Sequence, residues 1–147
     1  IREIIELNQK SIAQGGQIVE LKIPGTLYIY ADEVKIGQVI TNFLTNALKH
    51  TAAGQHITIQ AYRKPDEETM HFEIRDDGEG IPESELPYVW DRYHKTSRSF
   101  SRNQLNTGLG LAIVKAILDA HDAQYGVTSI VGKGSTFWFE LRETHEA

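Results

Sequence analysis

Residues 32–49 read DEVKIGQVITNFLTNALK and run into His50 and Thr51. Ile36, Val39, Ile40, Phe43, Leu44, Ala47 and Leu48 recur there at i, i+3, i+4 and i+7, the spacing that gathers apolar side chains onto one stripe of a helix. The stretch is therefore expected to be helical, with that stripe in the core and Asp32 capping the first turn. Beside the stripe, Asn42 and Asn46 lie one turn apart and Lys49 follows three residues on, so two carboxamides and an ammonium leave the helix along one narrow strip. A carboxamide oxygen suits a hard cation such as Mg2+, its NH2 donates to phosphate oxygens, and lysine adds positive charge on a long stem. Alone, such a strip is more often the polar border of an amphipathic helix. Two glycine-rich segments downstream move the balance toward a metal-nucleotide site.

Upstream, residues 2–14 carry Ile4, Ile5, Leu7 and Ile12 and read as one short helix ended by Gly15-Gly16. QIVELKI (17–23) alternates with Val19, Leu21 and Ile23 on one face; Pro24-Gly25 marks a turn, and LYIYA (27–31) alternates again, a hairpin leading into the helix.

Downstream, HITIQAY (56–62) and TMHFEIRD (69–76) alternate as strands, with Met70, Phe72 and Ile74 inward. Asp76 shares their parity. A carboxylate facing the core is costly unless something supplies its hydrogen bonds, so Asp76 asks for a ligand or a buried partner. Asp77, Gly78, Glu79, Gly80, Ile81 and Pro82 follow, a loop whose two glycines let the backbone approach a flat ligand. From Glu83 to Thr107 no period is sustained, and a stretch of about 25 residues without regular structure inside a compact domain marks a functional lid or a misassigned element. Arg92, His94, Lys95, Arg98 and Arg102, interleaved with Trp90, Tyr93 and Phe100, make it the one local concentration of positive charge. Gly108-Leu109-Gly110-Leu111 then opens a helix whose expected buried stripe is Leu109, Ala112, Ile113, Ala116, Ile117 and Ala120. Its N-terminal N–H groups and positive dipole end suit phosphate. AQYGVTSI (123–130) and STFWFELR (135–142) close the chain as strands around Gly132-Lys133-Gly134, with Ser135 on the inward parity of Phe137, Phe139 and Leu141.

The composition narrows the classes. At 147 residues, 40% hydrophobic and 24% charged, the chain fits one core. A net charge of −5 without a long basic run argues against a nucleic-acid partner. The absence of cysteine excludes disulfides and thiolate chemistry. No apolar run approaches the roughly 18 residues of a membrane span. The start at Ile1 rather than Met suggests a piece of a longer protein.

Taken together and in order, five segments carry a resemblance. QVITNFLTNALKHT is similar to the N box, IRDDGEGIP to the first glycine box, VWDRYHK to the F box, NTGLGLAIVK to the second glycine box and HDAQYGVTSIVGKGSTF to the closing segment of the catalytic, ATP-binding domain of two-component sensor histidine kinases. That domain belongs to a superfamily shared with DNA gyrase, MutL and the heat-shock chaperone ATPases. The resemblance spans about residues 17–142. It implies an α+β fold, a two-layer α/β sandwich of the Bergerat (GHKL) type, with a mixed sheet covered on one face by the helices that begin near Ile1, Asp32 and Gly108. Residues 1–14 would be an N-terminal helix or the tail of a linker from a dimerisation domain, 15–142 the catalytic domain with a flexible ATP lid at about 82–107, and 143–147 a tail.

The resemblance also implies roles. Asp76 would accept from the adenine amino group, with Gly78, Gly80 and Ile81 shaping the pocket. Asn46 would hold Mg2+, with Asn42 the second candidate, and Lys49 and His50 would approach phosphates or ribose. Thr107, Gly108, Leu109, Gly110 and Leu111 would present backbone N–H groups to the phosphates. Arg92, Tyr93, Lys95 and one of Arg98 or Arg102 would close the lid, and Ser135 or Thr136 would finish the adenine edge through water. Asn46, Lys49, Arg92 and Lys95 form the expected catalytic set.

The sequence departs from the family pattern in three places. Asn106 stands where a glycine pair usually begins, Trp90 replaces the F-box phenylalanine, and His50 replaces the aromatic after the N-box lysine. Hydrolases of the superfamily carry a glutamate base one turn before the second asparagine; here that position is Asn42, which cannot take a proton. The implied activity is therefore donation of the γ-phosphoryl of Mg-ATP to a histidine on a separate helical dimerisation domain. None of the chain's six histidines, His50, His56, His71, His94, His121 and His145, lies in the phosphoacceptor context. The implied partners are ATP or ADP, the dimerisation domain and a response regulator, with this piece monomeric and cytoplasmic, part of a membrane-anchored sensor. The alternatives are a GHKL-type ATPase, a serine-directed kinase of the anti-sigma type and a non-catalytic nucleotide-binding module.

Overall fold

The helix over 32–49 forms as its pattern requires. A computed structural model describes residues 1–23, 29, 31–65, 68–91 and 109–142. Helices α1 (Arg2–Leu7) and α2 (Gln9–Gly15) precede strand β1 (Ile18–Lys22), and helix α3 (Glu33–Lys49) leads to β2 (His56–Arg63) and β3 (Thr69–Asp76). A 3-10 helix (Glu83–Tyr88), α4 (Leu109–Ala120), β4 (Gln124–Ile130) and β5 (Gly134–Arg142) follow. Asp32 caps α3 by accepting from the Lys35 N–H at 3.0 Å, and Ile36, Val39, Ile40, Phe43, Leu44 and Ala47 are all buried. At about 1.5–3 kcal/mol for each large apolar side chain, that face anchors the helix to the sheet.

The five strands run in the order β1-β2-β3-β5-β4. β2, β3, β5 and β4 pair antiparallel, whereas β1 pairs β2 in parallel, with Val19 opposite Ile57 and Leu21 opposite Ile59. The mixed sheet of the α+β sandwich is thus present. β1 is joined to β2 by α3 as a crossover, the connection a parallel pair demands. The expected hairpin partner at 27–31 falls mostly outside the described residues, and the ladder seen for β1 is the one with β2.

Two expectations are corrected. The segment 2–14 is two helices, not one: Asn8 interrupts it, donating from Nδ2 to the Ile4 carbonyl at 2.8 Å. Gly16, at φ 74°, ends the second helix, in the left-handed conformation glycine adopts without strain. On α4 the buried face is Val114, Ile117 and Leu118, with Leu111 packed at its edge, while Ile113 is 38% exposed and Ala116 and Ala120 face outward. The sequence LGLAIVKAILDA is apolar almost all round, so two stripes fit its period. The Lys115–Asp119 ion pair at 2.8 Å lies outward and the stripe with the larger side chains turns in. Val114→Ala is expected to cost about 2 kcal/mol and Ile113→Ala less than about 0.5 kcal/mol, both read by denaturant unfolding. The reverse order would put the helix in the other phase.

The core's aromatic layer joins helix, sheet and the segment after the first glycine loop. Phe43 lies 5.5 Å from Phe137 and 6.5 Å from Trp90, and Trp90 meets Tyr125 and Phe137 edge-on at 5.1 and 5.8 Å. The larger ring at the F-box position is accommodated. The start of the expected lid is consequently part of the packed body: Glu83–Tyr88 is a 3-10 helix and Val89 is buried. Residues 92–108, with Arg92, Tyr93, His94, Lys95, Arg98, Arg102, Asn106, Thr107 and Gly108, lie outside the described residues, as do 143–147.

Candidate functional site

The floor of the site is the end of β3. Asp76 is 2% exposed and stands opposite Ser135 on β5 and Ile57 on β2. Its Oδ1 accepts from the Gly78 N–H at 2.9 Å. Burial holds its pKa above the usual carboxylate value, against the Gly78 N–H hydrogen bond and the nearby His50, which pull it down. The glycines of the loop answer first to the protein's own backbone. A Cβ on Gly78 would collide with the His50 carbonyl, and one on Gly80, at φ 76°, with the Ile130 carbonyl. Gly134, at φ 124°, has the Asp76 carbonyl where its Cβ would stand. The loop is thereby closed down on the C-terminal end of α3 at one side and on the β4–β5 turn at the other.

The wall is the polar strip of α3. Asn42 donates from Nδ2 to the Gly110 carbonyl at 3.4 Å, joining α3 to the first turn of α4. Asn46 and Lys49 are half-buried, and burial lowers the Lys49 pKa below its ordinary 10.5. His50 caps the helix and its Nδ1 lies 3.5 Å from Glu79 Oε1, so the helix end and the glycine loop also meet through side chains. Gln17 fixes that end from below: its Nε2 donates to the Leu48 and Thr51 carbonyls at 3.0 and 3.2 Å and to Thr51 Oγ1 at 3.2 Å. A buried acceptor, a glycine loop and a strip of amides with one cation thus surround a common corner between α3, α4 and the ends of β3 and β5.

The family model for histidine kinase-, DNA gyrase B- and HSP90-like ATPases matches residues 31–145, most of this chain and all of that corner. The chain belongs to this ATPase family. It is 38% identical over 115 residues to the sensor histidine kinase WalK of Bacillus subtilis (strain 168), covering 78% of this chain and 19% of that protein. It is 41% identical over 106 residues to the sensor histidine kinase AruS of Pseudomonas aeruginosa, covering 71% of this chain and 11% of that one. The chain therefore spans a fifth or less of these relatives. Among solved structures, full-length ShkA in complex with AMPPNP superposes with a TM-score of 0.84 at 26% identity over 99% of this chain and 30% of that one. The mycobacterial sensor histidine kinase MprB gives 0.82 at 23% identity, over 97% of this chain and 95% of that one, a likeness of fold.

Within this ATPase domain the structure brings together Asn42, Asn46, Lys49, His50, Asp76, Gly78, Gly80, Ile81, Gly110 and Ser135. It separates Ser135 from Thr136. Ser135 lies on the Asp76 side and is 6% exposed, whereas Thr136, opposite Arg75, alternates to the other face of the sheet with Trp138 and Glu140. Leu109 opens α4 and Leu111 is half-buried beside the core. Sequence reading passed over Gln17 and Ser129, whose work is done across 31 and 48 residues of chain; a lone polar residue beside a loop gives no periodic signal.

His121 is a structural histidine: its Nε2 accepts from the Asp32 N–H at 3.1 Å, so Nδ1 carries the proton and donates to the Ile117 carbonyl at 2.9 Å. His71, on the other face of the sheet, is held between Glu140 and Glu73 at 2.7 and 2.9 Å.

Burial of Lys49 has a measurable consequence. The ammonium attracts phosphate only while protonated, so nucleotide affinity should fall as pH rises through the lowered Lys49 pKa, earlier than for a lysine in water. Calorimetric titrations with ATP between pH 7 and 10 should show this decline. Lys49→Met should bind more weakly at pH 7 and lose the decline; a decline unchanged in the variant would assign it to another group.

Proposed function

We propose that this chain is the catalytic domain of a sensor histidine kinase, binding Mg-ATP and donating the γ-phosphoryl to a histidine on a separate helical dimerisation domain. The observation that carries the reading is the buried Asp76 carboxylate at the foot of the α3 strip, with Oδ1 taken by Gly78 and an acceptor edge left for an exocyclic amino group. Asp76 fixes the base, and Lys49 and the N-terminal turn of α4 meet the phosphates. Arg92, Tyr93, Lys95 and Arg98 or Arg102, outside the described residues, are the cations and ring proposed to meet the phosphates from the lid segment.

The donor set fits Mg2+. The Asn46 carboxamide, with Asn42 one turn before it on α3, offers neutral oxygens beside the site. That matches an ion that keeps several waters and takes few protein ligands beside phosphate oxygens. When bound, Mg2+ supplies charge neutralisation at the β- and γ-phosphates.

Kinase is favoured over hydrolase by Asn42. It occupies the position where the hydrolases carry a glutamate, its amide is engaged with Gly110, and it cannot deprotonate water. A response regulator would receive the phosphoryl from the parent protein. No helix among the described residues is long and apolar enough to cross a membrane, and a membrane anchor would belong to other parts of a cytoplasmically facing parent.

The test mixes this chain with the dimerisation domain of its parent and γ-labelled ATP. Acid-labile, base-stable label on that domain, with little free phosphate, is expected. Acid-stable label would indicate a serine acceptor, and rapid phosphate release without transfer would indicate a hydrolase.

A further inference from the structure

Ser129 lies on β4 opposite Ser135 and makes three hydrogen bonds through one hydroxyl. Its Oγ accepts from the Ile81 N–H at 2.7 Å, donates to the Gly134 carbonyl at 2.9 Å and stands 2.8 Å from Ser135 Oγ. A hydroxyl has one proton and two lone pairs. The proton goes to Gly134, since a carbonyl only accepts, and one lone pair goes to Ile81, since an N–H only donates. The remaining lone pair must take the proton of Ser135. Ser135 is therefore left with lone pairs alone on its remaining side, next to the Asp76 carboxyl group, whose Oδ1 already accepts from the Gly78 N–H.

We propose that Ser129 is a positioning residue for purine selection: it holds the glycine loop at Ile81 and, by taking the Ser135 proton, makes the floor beside Asp76 uniformly hydrogen-bond accepting. Such a floor suits a purine whose 6-substituent is a donor, directly or through a water, and disfavours a 6-oxo purine. The effect passes through two other residues, so Ser129 touches no ligand. The inference rests on the nucleotide reading above and adds the origin of the base preference. A second observation supports its role in loop geometry. The same hairpin end meets the loop again where the Gly132 N–H donates to the Glu79 carbonyl at 2.9 Å, so Ser129 adds a side-chain tie to a backbone one, and without it the Ile81 N–H, next to Gly80, loses its acceptor.

The test is calorimetric titration of ATP and inosine triphosphate into wild type, Ser129→Ala and Ser129→Thr, with folding checked by circular dichroism. Wild type is expected to prefer ATP. Ser129→Ala should lose about tenfold in ATP affinity, the worth of one hydrogen bond of about 1.4 kcal/mol, and its ATP-to-inosine-triphosphate ratio should shrink several-fold. Ser129→Thr keeps the hydroxyl and should restore the ratio. If Ser129→Ala fails to fold, Ser129→Cys, with its weak S–H donor, should show the same narrowed ratio. An unchanged ratio in the folded variant, or a ratio Thr does not restore, overturns the role of Ser129 while leaving ATP binding intact. Failure of wild type to bind either nucleotide overturns the nucleotide reading and this inference with it.

Discussion

Asp76→Asn is expected to weaken ATP binding by roughly 100-fold, about 3 kcal/mol, while leaving the domain at least as heat-stable at neutral pH. The first half follows from geometry. An asparagine Oδ1 can still accept from the Gly78 N–H, which turns the new NH2 toward the place of the adenine amino group, so donor faces donor. The second half follows from linkage. Burial raises the folded-state pKa of Asp76 above its unfolded value, so the folded state holds the proton more tightly. The stabilisation this gives is present below the unfolded value and is lost as pH rises through the raised one, which makes the charged form a cost of folding at neutral pH. Asparagine removes that cost and should flatten the acid limb of the stability profile. Calorimetry with ATP and thermal melts between pH 3 and 7 read both. Normal ATP affinity in the variant would remove Asp76 from the adenine site, and a large loss of stability at pH 7 would mean that its hydrogen bonds outweigh its desolvation.

That a carboxylate pays no structural dividend where it stands is what made it visible in the sequence. Asp76 and Ser135 betray themselves by parity, polar residues on the inward positions of otherwise apolar strands, and both are buried as that parity requires. The helix 32–49 was equally legible because its cap, its stripe and its amide strip occupy three separate angular sectors.

Where a segment lacked such contrast, its phase was lost. On α4 apolar residues lie on nearly every side, and only side-chain volume and the Lys115–Asp119 pair decide which stripe turns inward. For strand β1, period-2 alternation shows a buried face but says nothing about the parallel ladder with β2, which the α3 crossover sets. The loop glycines were read as room for a flat ligand, and the fold itself makes a separate demand on them. Gly78 and Gly80 are demanded by the His50 and Ile130 carbonyls, partners 28 and 50 positions away in the chain, and that closeness exists only after the sheet has formed. Ser129 is hidden for the same cause.

Asn46→Ala should lower phosphoryl transfer to the dimerisation domain by roughly 10²–10³-fold, the usual loss when one preorganised electrostatic contact is removed from a reacting centre. Asn46 stands one turn after Asn42 and three residues before Lys49 on a helix whose far end is pinned by Gln17 and whose near side is tied to Gly110, so its carboxamide is held on a rigid wall. Truncation removes a neutral oxygen and leaves the floor of the site untouched. Adenine recognition through Asp76 should therefore survive, with ATP and ADP affinity without Mg2+ changed by less than about tenfold, and the added affinity that Mg2+ brings should disappear. The pair of variants separates two functions of one corner: Asp76→Asn loses the base and Asn46→Ala loses the metal. Single-turnover transfer with labelled ATP, beside calorimetry with and without Mg2+, reads the split. Equal losses of nucleotide binding in both variants would mean that the α3 strip and the β3 end act on the same part of the ligand, and the assignment of Asn46 to the metal would fall.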